Sequence, residues 1–385
     1  MKFRGYRRSN GSVGVRNHTL IFPTTICAST VAQTISNEVA GTVSAAHLHG
    51  CGHLGEEKEH MVRSMAGFCS NPNVAGVLLV GLGCESLTPA LIGEELAKVG
   101  QRFETISIQE VGGTINCIAK GKKLAEELLA EAMSAQQESV DVGELIMGTN
   151  CGGSDAASGI TANPSLGVAS DLLIAQGGTV IISETPEMIG AEHILARRAA
   201  NKDVRNRIQN VISTTEKNIK AMGVDVRGDE PSPGNIAGGL TTLEEKSLGA
   251  VLKGGSMPIV QVVKYAEKPS RKGLIVMDGP AHDVVCNTGM IASGAQIIVF
   301  TTGRGTPIGS PIAPVIKVSS NAALYRMMED NMDIDAGGII AGAESIQSVG
   351  EKIFEEVIQV ASGKSTKAEI LGHREFAINA LIPTV

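Results

Sequence analysis

Short apolar runs alternate with longer segments of helical periodicity through the N-terminal third of the chain. The continuous apolar run at 74–80 is typical of a strand buried on both faces of a parallel sheet. We predict strands at 19–22, 41–46, 74–80 and 104–108, and helices at 27–39, 56–69, 89–98 and 114–135. Short loops between these elements predict a doubly wound, mostly parallel α/β domain, to which we assign residues 1–140.

The same alternation continues after residue 140, with more polar connections between the elements. We predict strands at 144–148, 179–183, 273–277, 296–300 and around Lys317, and helices at 166–176, 203–222, 243–252, 322–328 and 345–362. This pattern predicts a second α/β domain over residues 141–385. No repeat of fixed period is present in the sequence, which excludes a solenoid.

Polar and nucleophilic residues follow the predicted strands of the first domain at equivalent places. His47 and Cys51 follow one strand, Cys84 and Glu85 the next, and Gln109 the one after that. Ligands in α/β sheets bind at the carboxyl ends of the strands, so these residues are expected to line one crevice.

The stretch from Asn150 to Asp155 repeats this arrangement at the start of the second domain. It places an amide, the Cys151 thiol, two glycines, Ser154 and a carboxylate after an apolar run. Glycines allow the backbone to approach a ligand closely. The alternative is a tight loop around a small buried cysteine, since free cysteine is among the most buried residue types.

Charge and composition exclude several classes of protein. The net charge is -7, so no basic surface favours nucleic acid as a partner. The sequence has no uninterrupted apolar stretch of membrane-spanning length and no apolar run of a signal peptide, which predicts a cytoplasmic protein. An odd count of 7 scattered cysteines is better explained by reduced thiols than by disulfides.

Thiols together with histidine form the first candidate centre. His47, Cys51, Cys84 and Cys151 make a soft ligand set suited to Fe(II), zinc or an iron–sulfur cluster, with Glu85 beside them. The alternative is a group of unrelated buried thiols. The other cysteines lack a setting of glycines and acids and are interpreted as isolated thiols: Cys27, Cys69, Cys117 and Cys286.

Carboxylates and basic residues form the second candidate set. Glu184, Glu187 and His193 follow a strand, where an acid and a base can flank one substrate. The alternative is a helix N-terminus enriched in acids, which the helix dipole favours. Arg304 lies between two glycines after another strand and is a candidate for binding an anion. The dinucleotide and P-loop glycine motifs are absent from the sequence, which argues against a nicotinamide dehydrogenase and a P-loop NTPase.

Several motifs, taken together and in order, resemble the altronate/galactarate dehydratase family along essentially the whole chain. They are Gly5-Tyr-Arg-Arg8, Gly14-Val-Arg-Asn17, Gly81-Leu-Gly-Cys-Glu85, Gln109-Glu-Val-Gly-Gly-Thr114, Cys151-Gly-Gly-Ser-Asp155, Gly159-Ile-Thr-Ala-Asn-Pro164, Ser183-Glu-Thr-Pro-Glu187, Gly190-Ala-Glu-His193, Pro231-Ser-Pro-Gly-Asn235, Lys246-Ser-Leu-Gly249 and Thr302-Gly-Arg-Gly305.

This resemblance implies an iron-dependent lyase that removes water from a sugar acid such as D-altronate and yields a 2-keto-3-deoxy acid. The sequence starts directly at the Gly5-Tyr-Arg-Arg8 motif, where single-chain members of the family carry a small β-rich module. We therefore expect the large subunit of a split enzyme with a small SAF-type partner, and a homo-oligomer. The (2R)-sulfolactate sulfo-lyase large subunit belongs to the same family, so sulfolactate and galactarate are alternative substrates.

The working hypothesis is a β-elimination in which a divalent metal stabilises the charge that develops on the substrate carboxylate. Fe(2+) is placed near His47, Cys51, Cys84, Glu85 and Cys151, and the rival cofactor is an iron–sulfur cluster on Cys51, Cys84 and Cys151. The expected acid–base residues are Glu184, Glu187, His193 and Asp155. The residues expected to hold the substrate are Asn150, Ser154, Asn235, Lys246, Arg304 and Lys317. A non-catalytic binding or scaffold subunit is the alternative from another class.

Overall fold

The structure is a computed structural model and describes residues 1–381. The strands are β1 (Lys2–Arg7), β2 (Val13–Gly14), β3 (His18–Pro23), β4 (Thr42–Ser44), β5 (Val74–Gly81), β6 (Phe103–Ser107), β7 (Glu138–Asp141), β8 (Ile146–Cys151), β9 (Thr179–Ile182), β10 (Ile259–Val263), β11 (Gly273–Met277), β12 (Ile297–Thr302), β13 (Val315–Ser319) and β14 (Ile334–Asp335).

Helices occupy most of the segments between the strands. They are α1 (Ser29–Glu38), α2 (Gly55–Cys69), α3 (Pro89–Lys98), α4 (Thr114–Ser134), α5 (Ala162–Ala175), α6 (Glu192–Arg197), α7 (Lys202–Ala221), α8 (Val226–Asp229), α9 (Pro233–Ala237), α10 (Leu243–Ala250), α11 (Asp283–Ala292), α12 (Ala322–Met327), α13 (Ile346–Ala361) and α14 (Lys367–Leu371). Within residues 1–381, no helix combines the length and the apolar character needed to cross a membrane.

A four-stranded parallel sheet is built from the N-terminal part of the chain, in the order β4-β3-β5-β6. Its strands are apolar on both faces, because helices cover both sides. Ile21 and Leu78 face α1 and α4 in one core, and Leu20 and Val77 face α2 and α3 in another. The predicted α/β architecture of this region is confirmed.

A seven-stranded parallel sheet follows, in the order β10-β11-β9-β8-β12-β13-β14. Helices α5 and α13 pack on one face, where Val180 and Val299 are buried. Helix α11 packs on the opposite face, against Ile275 and Ile298. The second set of predicted strands therefore also forms an α/β layer structure.

Each parallel sheet has a point at which its strand order reverses. In the large sheet, β9 lies on one side of β8. Strand β12 lies on the other side of β8, and β13 lies beyond β12. In the small sheet, β3 and β5 are neighbours whose successors, β4 and β6, lie on opposite sides. Ligand crevices form at the carboxyl ends of such strands. The loops after β8 and β12, and after β3 and β5, are therefore the places to look for function.

Sequence patterns missed a small antiparallel sheet in the order β2-β1-β7. In β1, buried Phe3 and Gly5 alternate with exposed, basic residues, and the strand pairs with β7 in a register that sets Lys2 opposite Asp141. The basic side chains on its exposed face made this segment resemble an irregular polar terminus. Strand β10 was also not predicted, although its apolar residues follow the turn residues Gly254, Gly255 and Pro258.

The two parallel sheets share one apolar core, which includes Phe22 and Phe68 from the first and Met290 and Phe300 from the second. Helices α2 and α11 meet closely at Gly67, where a Cβ atom would lie 2.5 Å from the Ala292 carbonyl oxygen. Only a glycine allows this approach, so the contact fixes how α2 lies against α11.

Two buried asparagines connect the regions by hydrogen bonds. Asn73 Nδ2 donates to the carbonyl oxygens of Gln296 and Ile312, and its Oδ1 accepts from the Val15 N–H. Asn71 Nδ2 donates to the carbonyl oxygens of two residues at the end of α11 and beyond, Ile291 and Ala295. Both side chains are fully buried, so these bonds replace water that cannot reach the backbone groups.

We expect Asn73→Ala to lower the free energy of unfolding by about 2–4 kcal/mol, because it leaves three buried backbone groups without partners. Urea unfolding monitored by circular dichroism measures the change. The control is Asn116→Ala, at an exposed asparagine that bonds only to Gly112 within its own helix region. Equal unfolding midpoints for the two variants would contradict the bridging role of Asn73.

Candidate functional site

A buried cluster of one thiol and two carboxylates lies at the carboxyl ends of β8 and β9. Cys151 is the last residue of β8, and Glu184 and Glu187 follow β9 directly. One potential ligand atom of each of the three residues lies within 4.8 Å of the others. The adjacent parallel strands β8 and β9 bring these loops together at the point of strand reversal.

Glu184 is held in an unusual backbone conformation. It has a φ of 71°, in the left-handed region that non-glycine residues rarely adopt, and it begins the short 3-10 turn Thr185–Met188. Its Oε2 accepts a hydrogen bond from the Cys151 N–H at 3.2 Å. Its Oε1 is buried with no hydrogen-bond partner among the described residues. Strained residues of this kind concentrate at functional sites.

Lys253 completes the cluster from the turn after α10. Its ammonium donates to Cys151 Sγ at 3.0 Å and to Glu184 Oε2 in a shorter contact. The side chain is almost completely buried. Sequence analysis missed this residue, although a lysine between the apolar run Ala250-Val-Leu252 and two glycines was a usable signal.

Lys246 connects the cluster to its surroundings. The Cys151 thiol donates to Glu187 Oε2 at 3.3 Å, and Glu187 Oε1 lies 3.2 Å from Lys246 Nζ. The same ammonium pairs with Glu230 at 2.9 Å. A continuous path of charged and hydrogen-bonded groups therefore leads from Cys151 to Lys246.

Burial and charge shift several pKa values at this site. Burial raises the pKa of Glu184 to about 8, against the opposing effect of the Lys253 ammonium. Burial also raises the pKa of Asp283 to about 6 and lifts that of the Cys151 thiol well above its ordinary value. For Lys253, burial disfavours the charged form, but the adjacent Cys151 and Glu184 charges outweigh it and raise the pKa. These shifts keep protons within the cluster near neutral pH.

A cavity of about 440 Å³ opens beside the Cys151 loop. Ser154, Asn163 and Lys246 are in its wall, so the Lys246 ammonium is shared between the cavity and the cluster. A very small cavity, close to the minimum that holds one water molecule, adjoins Glu184 and Lys253. A larger cavity of about 550 Å³ is lined by Glu56, Arg63 and Lys264 among others, and it contains none of the predicted site residues. The 440 Å³ cavity, which contains predicted site residues, is therefore the candidate ligand cavity.

The cluster fits a divalent metal in its chemistry. A thiolate and two carboxylates are ligands that Fe(II), Zn(II) and Mn(II) accept, and one such atom from each of the three residues lies within 4.8 Å of the others. Lys253 is the cation with which a metal would compete at Cys151 and Glu184.

The remaining predicted metal ligands do not join this cluster. His47 is buried, with Nε2 donating to the Pro23 carbonyl at 2.6 Å and Nδ1 accepting from the His49 N–H. Glu85 is occupied in its own loop, where it accepts from the N–H groups of Leu82 and Gly83. Among residues 1–381, no other group of three or more ligand atoms meets within 4.8 Å.

Cys51 and Cys84 are exposed, in contrast to the buried Cys151. The five residues of the expected centre do not meet within 4.8 Å, and the rival cluster on Cys51, Cys84 and Cys151 would combine a buried thiol with two exposed ones. The physical reason is that these side chains follow strands of two different sheets.

Two expected acid–base residues lie outside the buried cluster, although Asp155 lines the 440 Å³ cavity. Asp155 Oδ1 accepts from the N–H and hydroxyl of Ser158 and the hydroxyl of Ser320, and Oδ2 accepts from Asn321. Those bonds tie the Cys151 loop to the end of β13, which is a structural role. His193 is exposed on α6 and is not part of the buried cluster.

The residues expected to hold the substrate divide into two groups. Lys317 is fully buried in β13 and donates to the carbonyls of Pro307 and Ile308, so its ammonium stabilises a loop instead of a substrate. Arg304 is exposed, and its Cβ lies 3.4 Å from the position of a Cβ at Gly153. Lys246 and Ser154 line the cavity.

The amides of the same expected set fix the walls of the site. Asn235 Nδ2 donates to the Ser154 carbonyl at 2.9 Å, and Asn150 Nδ2 donates to Asn287 Oδ1 at the same distance. Both asparagines are buried, and they hold the loops after β8 in place.

Comparison with known sequences identifies two family matches. The family described as D-galactarate/Altronate dehydratase, C-terminal, matches residues 142–384, and that described as D-galactarate dehydratase/Altronate hydrolase, second domain, matches residues 5–133. The (2R)-sulfolactate sulfo-lyase subunit beta of Chromohalobacter salexigens is 37% identical over 98% of this chain and 97% of its own length. The altronate dehydratase of Bacillus subtilis is 38% identical over 98% of this chain and 77% of its own length. The galactarate dehydratase (L-threo-forming) of Escherichia coli is 38% identical over 94% and 73%.

The placement of His47 predicts an acid-sensitive stability. Burial lowers the pKa of His47 to about 4, whereas an unfolded imidazole titrates near 6.5. Between these values the unfolded chain binds a proton that the folded chain does not, so stability falls as the pH drops from 6.5 to 4.

We expect His47→Gln, which can still donate and accept, to reduce the loss of stability between pH 7 and pH 4.5 by about 2 kcal/mol. Urea unfolding at both pH values is the measurement. His193→Gln, at an exposed histidine, serves as the matched control. The same pH dependence in the wild-type chain and His47→Gln would show that His47 is not held neutral by burial.

Proposed function

Because the chain belongs to the D-galactarate/altronate dehydratase family, we propose that it eliminates water from a sugar acid such as D-altronate and forms a 2-keto-3-deoxy acid. The observation that carries the proposal is the buried Cys151–Glu184–Glu187–Lys253 cluster beside a cavity that contains a second ammonium, Lys246. Altronate and galactarate dehydratases among the relatives support a lyase.

The cavity suits a small anionic substrate. Its volume of about 440 Å³ lies within the range of roughly 300–1,000 Å³ found for small-molecule sites. Lys246 is half-buried in its wall, where an ammonium interacts with a carboxylate more strongly than it does in bulk water. Exposed Arg304, next to Gly153, is the second candidate for binding the substrate at the same loop.

Elimination requires a base for the proton next to the carboxylate. Glu184 is placed for this role, because its Oε1 is buried without a partner in the described chain while Oε2 is held by Lys253 and the Cys151 N–H. Burial raises the pKa of Glu184 above the ordinary carboxyl value, which makes its carboxylate a stronger base.

The departing hydroxide needs an acid, and Lys253 is the nearest cationic donor to Glu184. In this scheme Glu184 Oε1 takes the proton from carbon, the carbon–oxygen bond breaks, and Lys253 Nζ protonates the hydroxide to give water. The proton on Glu184 then returns to Lys253 through their direct contact, which restores both groups. After the carbon–oxygen bond has broken, the enol product converts to the ketone.

A divalent metal held by Cys151, Glu187 and the Oε2 of Glu184 would supply Lewis-acid stabilisation of negative charge on the substrate, and it would leave Glu184 Oε1 free as the base. We propose Fe(2+) as this ion, since a thiolate with two carboxylates suits it. Lys246, paired with Glu187, positions that carboxylate at the edge of the cavity.

We propose that the chain works as the large subunit of a complex with a small SAF-type partner. It matches a protein named as a subunit beta over nearly the full length of both chains, whereas it spans about three quarters of the dehydratases. The same length match favours (2R)-sulfolactate sulfo-lyase as the second candidate activity. Sulfite leaves as a stable anion, so that elimination depends less on a proton donor.

The substrate test uses the purified chain with the product of its neighbouring gene, supplied with Fe(2+) under anaerobic conditions. We expect the formation of a 2-keto-3-deoxy acid from altronate, measured with a carbonyl reagent, to exceed turnover of galactarate and the release of sulfite from sulfolactate. Preferential sulfite release would replace the dehydratase assignment with the sulfo-lyase. No turnover of any of the three acids would favour a non-catalytic subunit.

We expect Lys253→Met to reduce kcat for dehydration by about 10²–10⁴, because the leaving hydroxide loses its acid. The KM should change much less, since Lys246 still lines the cavity. Lys220→Met removes an exposed ammonium from an i,i+4 pair and is the control for loss of charge. Circular dichroism and the melting temperature establish that the variants are folded. A Lys253→Met enzyme with wild-type kcat would exclude Lys253 as the acid.

A further inference from the structure

Three cysteines differ from the other four in their exposure. Cys27, Cys51 and Cys84 are exposed, while the remaining cysteines are buried. The three exposed thiols follow β3, β4 and β5, which are neighbours in the small parallel sheet. They therefore lie at one edge of one sheet, and Cys27 and Cys84 flank its point of strand reversal, where ligand crevices form.

Hydrogen bonds join the loops that carry Cys27 and Cys51. The Ile26 N–H donates to the His49 carbonyl at 2.8 Å, and Thr25 Oγ1 lies 4.0 Å from Cys51 Sγ. Gly50 has a φ of 127°, and a Cβ atom there would lie 2.4 Å from the Thr25 Cα. The two loops are thus in direct contact, and only glycine allows that contact.

The loop that carries Cys84 is joined to both of the others. The Leu87 N–H and the Ser86 hydroxyl donate to the Gly50 carbonyl, each at 3.1 Å. Thr24 Oγ1 donates to Glu85 Oε1 at 3.1 Å. Glu85, which was expected to bind metal, instead fixes the loop that presents Cys84. All three thiols are therefore carried by loops that brace one another in pairs.

Polar groups already contact two of the sulfur atoms. Gln109 Nε2 donates to Cys84 Sγ at 3.7 Å, from the loop after β6, and the Thr25 hydroxyl is near Cys51 Sγ. Hydrogen bonds to cysteine sulfur tune iron–sulfur clusters.

The donor set, and the fact that these described thiols do not meet within 4.8 Å, favour a cluster over a single ion. Three thiolates select zinc, Cu(I) or iron–sulfur clusters. Among the described residues, however, the ligand atoms that lie within 4.8 Å of one another belong to Cys151, Glu184 and Glu187. The exposed thiols do not form a second such group. In a cluster the thiolates bind different iron atoms, so their sulfur atoms lie farther apart than around one shared ion.

We propose that Cys27, Cys51 and Cys84 bind a [4Fe–4S] cluster, with one iron left without a protein ligand. Each thiol loses its proton as it binds iron, and the fourth iron remains open to an oxygen ligand. The site lies outside the Cys151 cluster, and its proposal does not rest on the lyase activity. It replaces Cys151 by Cys27 in the thiol set that sequence analysis had considered.

The test uses the full chain, purified without oxygen and reconstituted with sulfide and equal amounts of ferrous and ferric iron, which together give the oxidation state of a [4Fe–4S]²⁺ cluster. We expect about four iron atoms and about four acid-labile sulfides per chain, with a broad visible absorption band that dithionite bleaches. Cys27→Ser, Cys51→Ser and Cys84→Ser should each lose at least half of the sulfide and most of the band. Cys117→Ser, at a buried cysteine of α4, is the matched control and should retain both.

Cys151→Ser tests the alternative thiol set of Cys51, Cys84 and Cys151. Because Cys27 is the third ligand in our proposal, this variant should retain the sulfide. Iron without sulfide, full sulfide in Cys27→Ser, or equal losses in Cys151→Ser and Cys84→Ser would overturn the proposal. Circular dichroism of each chain before reconstitution establishes that a loss is not a folding failure. A full cluster without turnover of any sugar acid would contradict the lyase proposal alone, and turnover without sulfide would contradict the cluster alone.

Discussion

The contact of the Lys253 ammonium with Cys151 and Glu184 is the constraint on which the rest of the site depends. Transferring a charge from water into a protein interior costs several kcal/mol, and only partners with good geometry offset that cost. Lys253 is nearly fully buried, so its partners must be present at the same point. The turn after α10 has to meet the ends of β8 and β9 there, which fixes three separate segments of the chain relative to one another.

The sheet topology makes this meeting possible. Because β8 and β9 are adjacent and parallel, their carboxyl ends lie at the same edge, and the strand reversal next to β8 leaves a crevice. Glu184 reaches the cluster through a left-handed backbone conformation, which costs about 1–3 kcal/mol. The contacts to Cys151 and Lys253 offset that strain. An apolar core would avoid both the burial of a charge and the strained backbone. The arrangement is therefore better explained by preorganised charge than by a gain in stability.

Sequence patterns predicted the parts of the fold that depend on burial. The strand at 74–80 and the helix α3 (Pro89–Lys98) were predictable because apolar residues follow the period of each element. Strand β1 was missed because its exposed face carries basic residues, and its stability comes from pairing with a strand far along the chain. Local periodicity contains no information about such pairing.

The candidate site was predictable in its location but only partly in its members. The motif around Cys151 and the acids after β9 were found, because glycines next to nucleophilic and acidic groups mark strand ends. Lys253 was missed, since a lone lysine is usually solvated and its burial depends on tertiary contacts. Glu85 and His47 were assigned to metal, but a sequence does not show that a side chain is occupied by its own loop.

Burial separates the chemistry of the two sheet edges. Desolvation raises the pKa of the Cys151 thiol, and the Lys253 ammonium, 3.0 Å away, opposes that shift. A thiolate at this position therefore depends on a cation beside it, which is Lys253 or the metal that we propose at Cys151, Glu184 and Glu187. Cys27, Cys51 and Cys84 are exposed at the edge of the other sheet, where we propose that they bind a cluster. The same residue type is thus assigned to two kinds of site, and the assignment depends on burial and on the charges next to each sulfur atom.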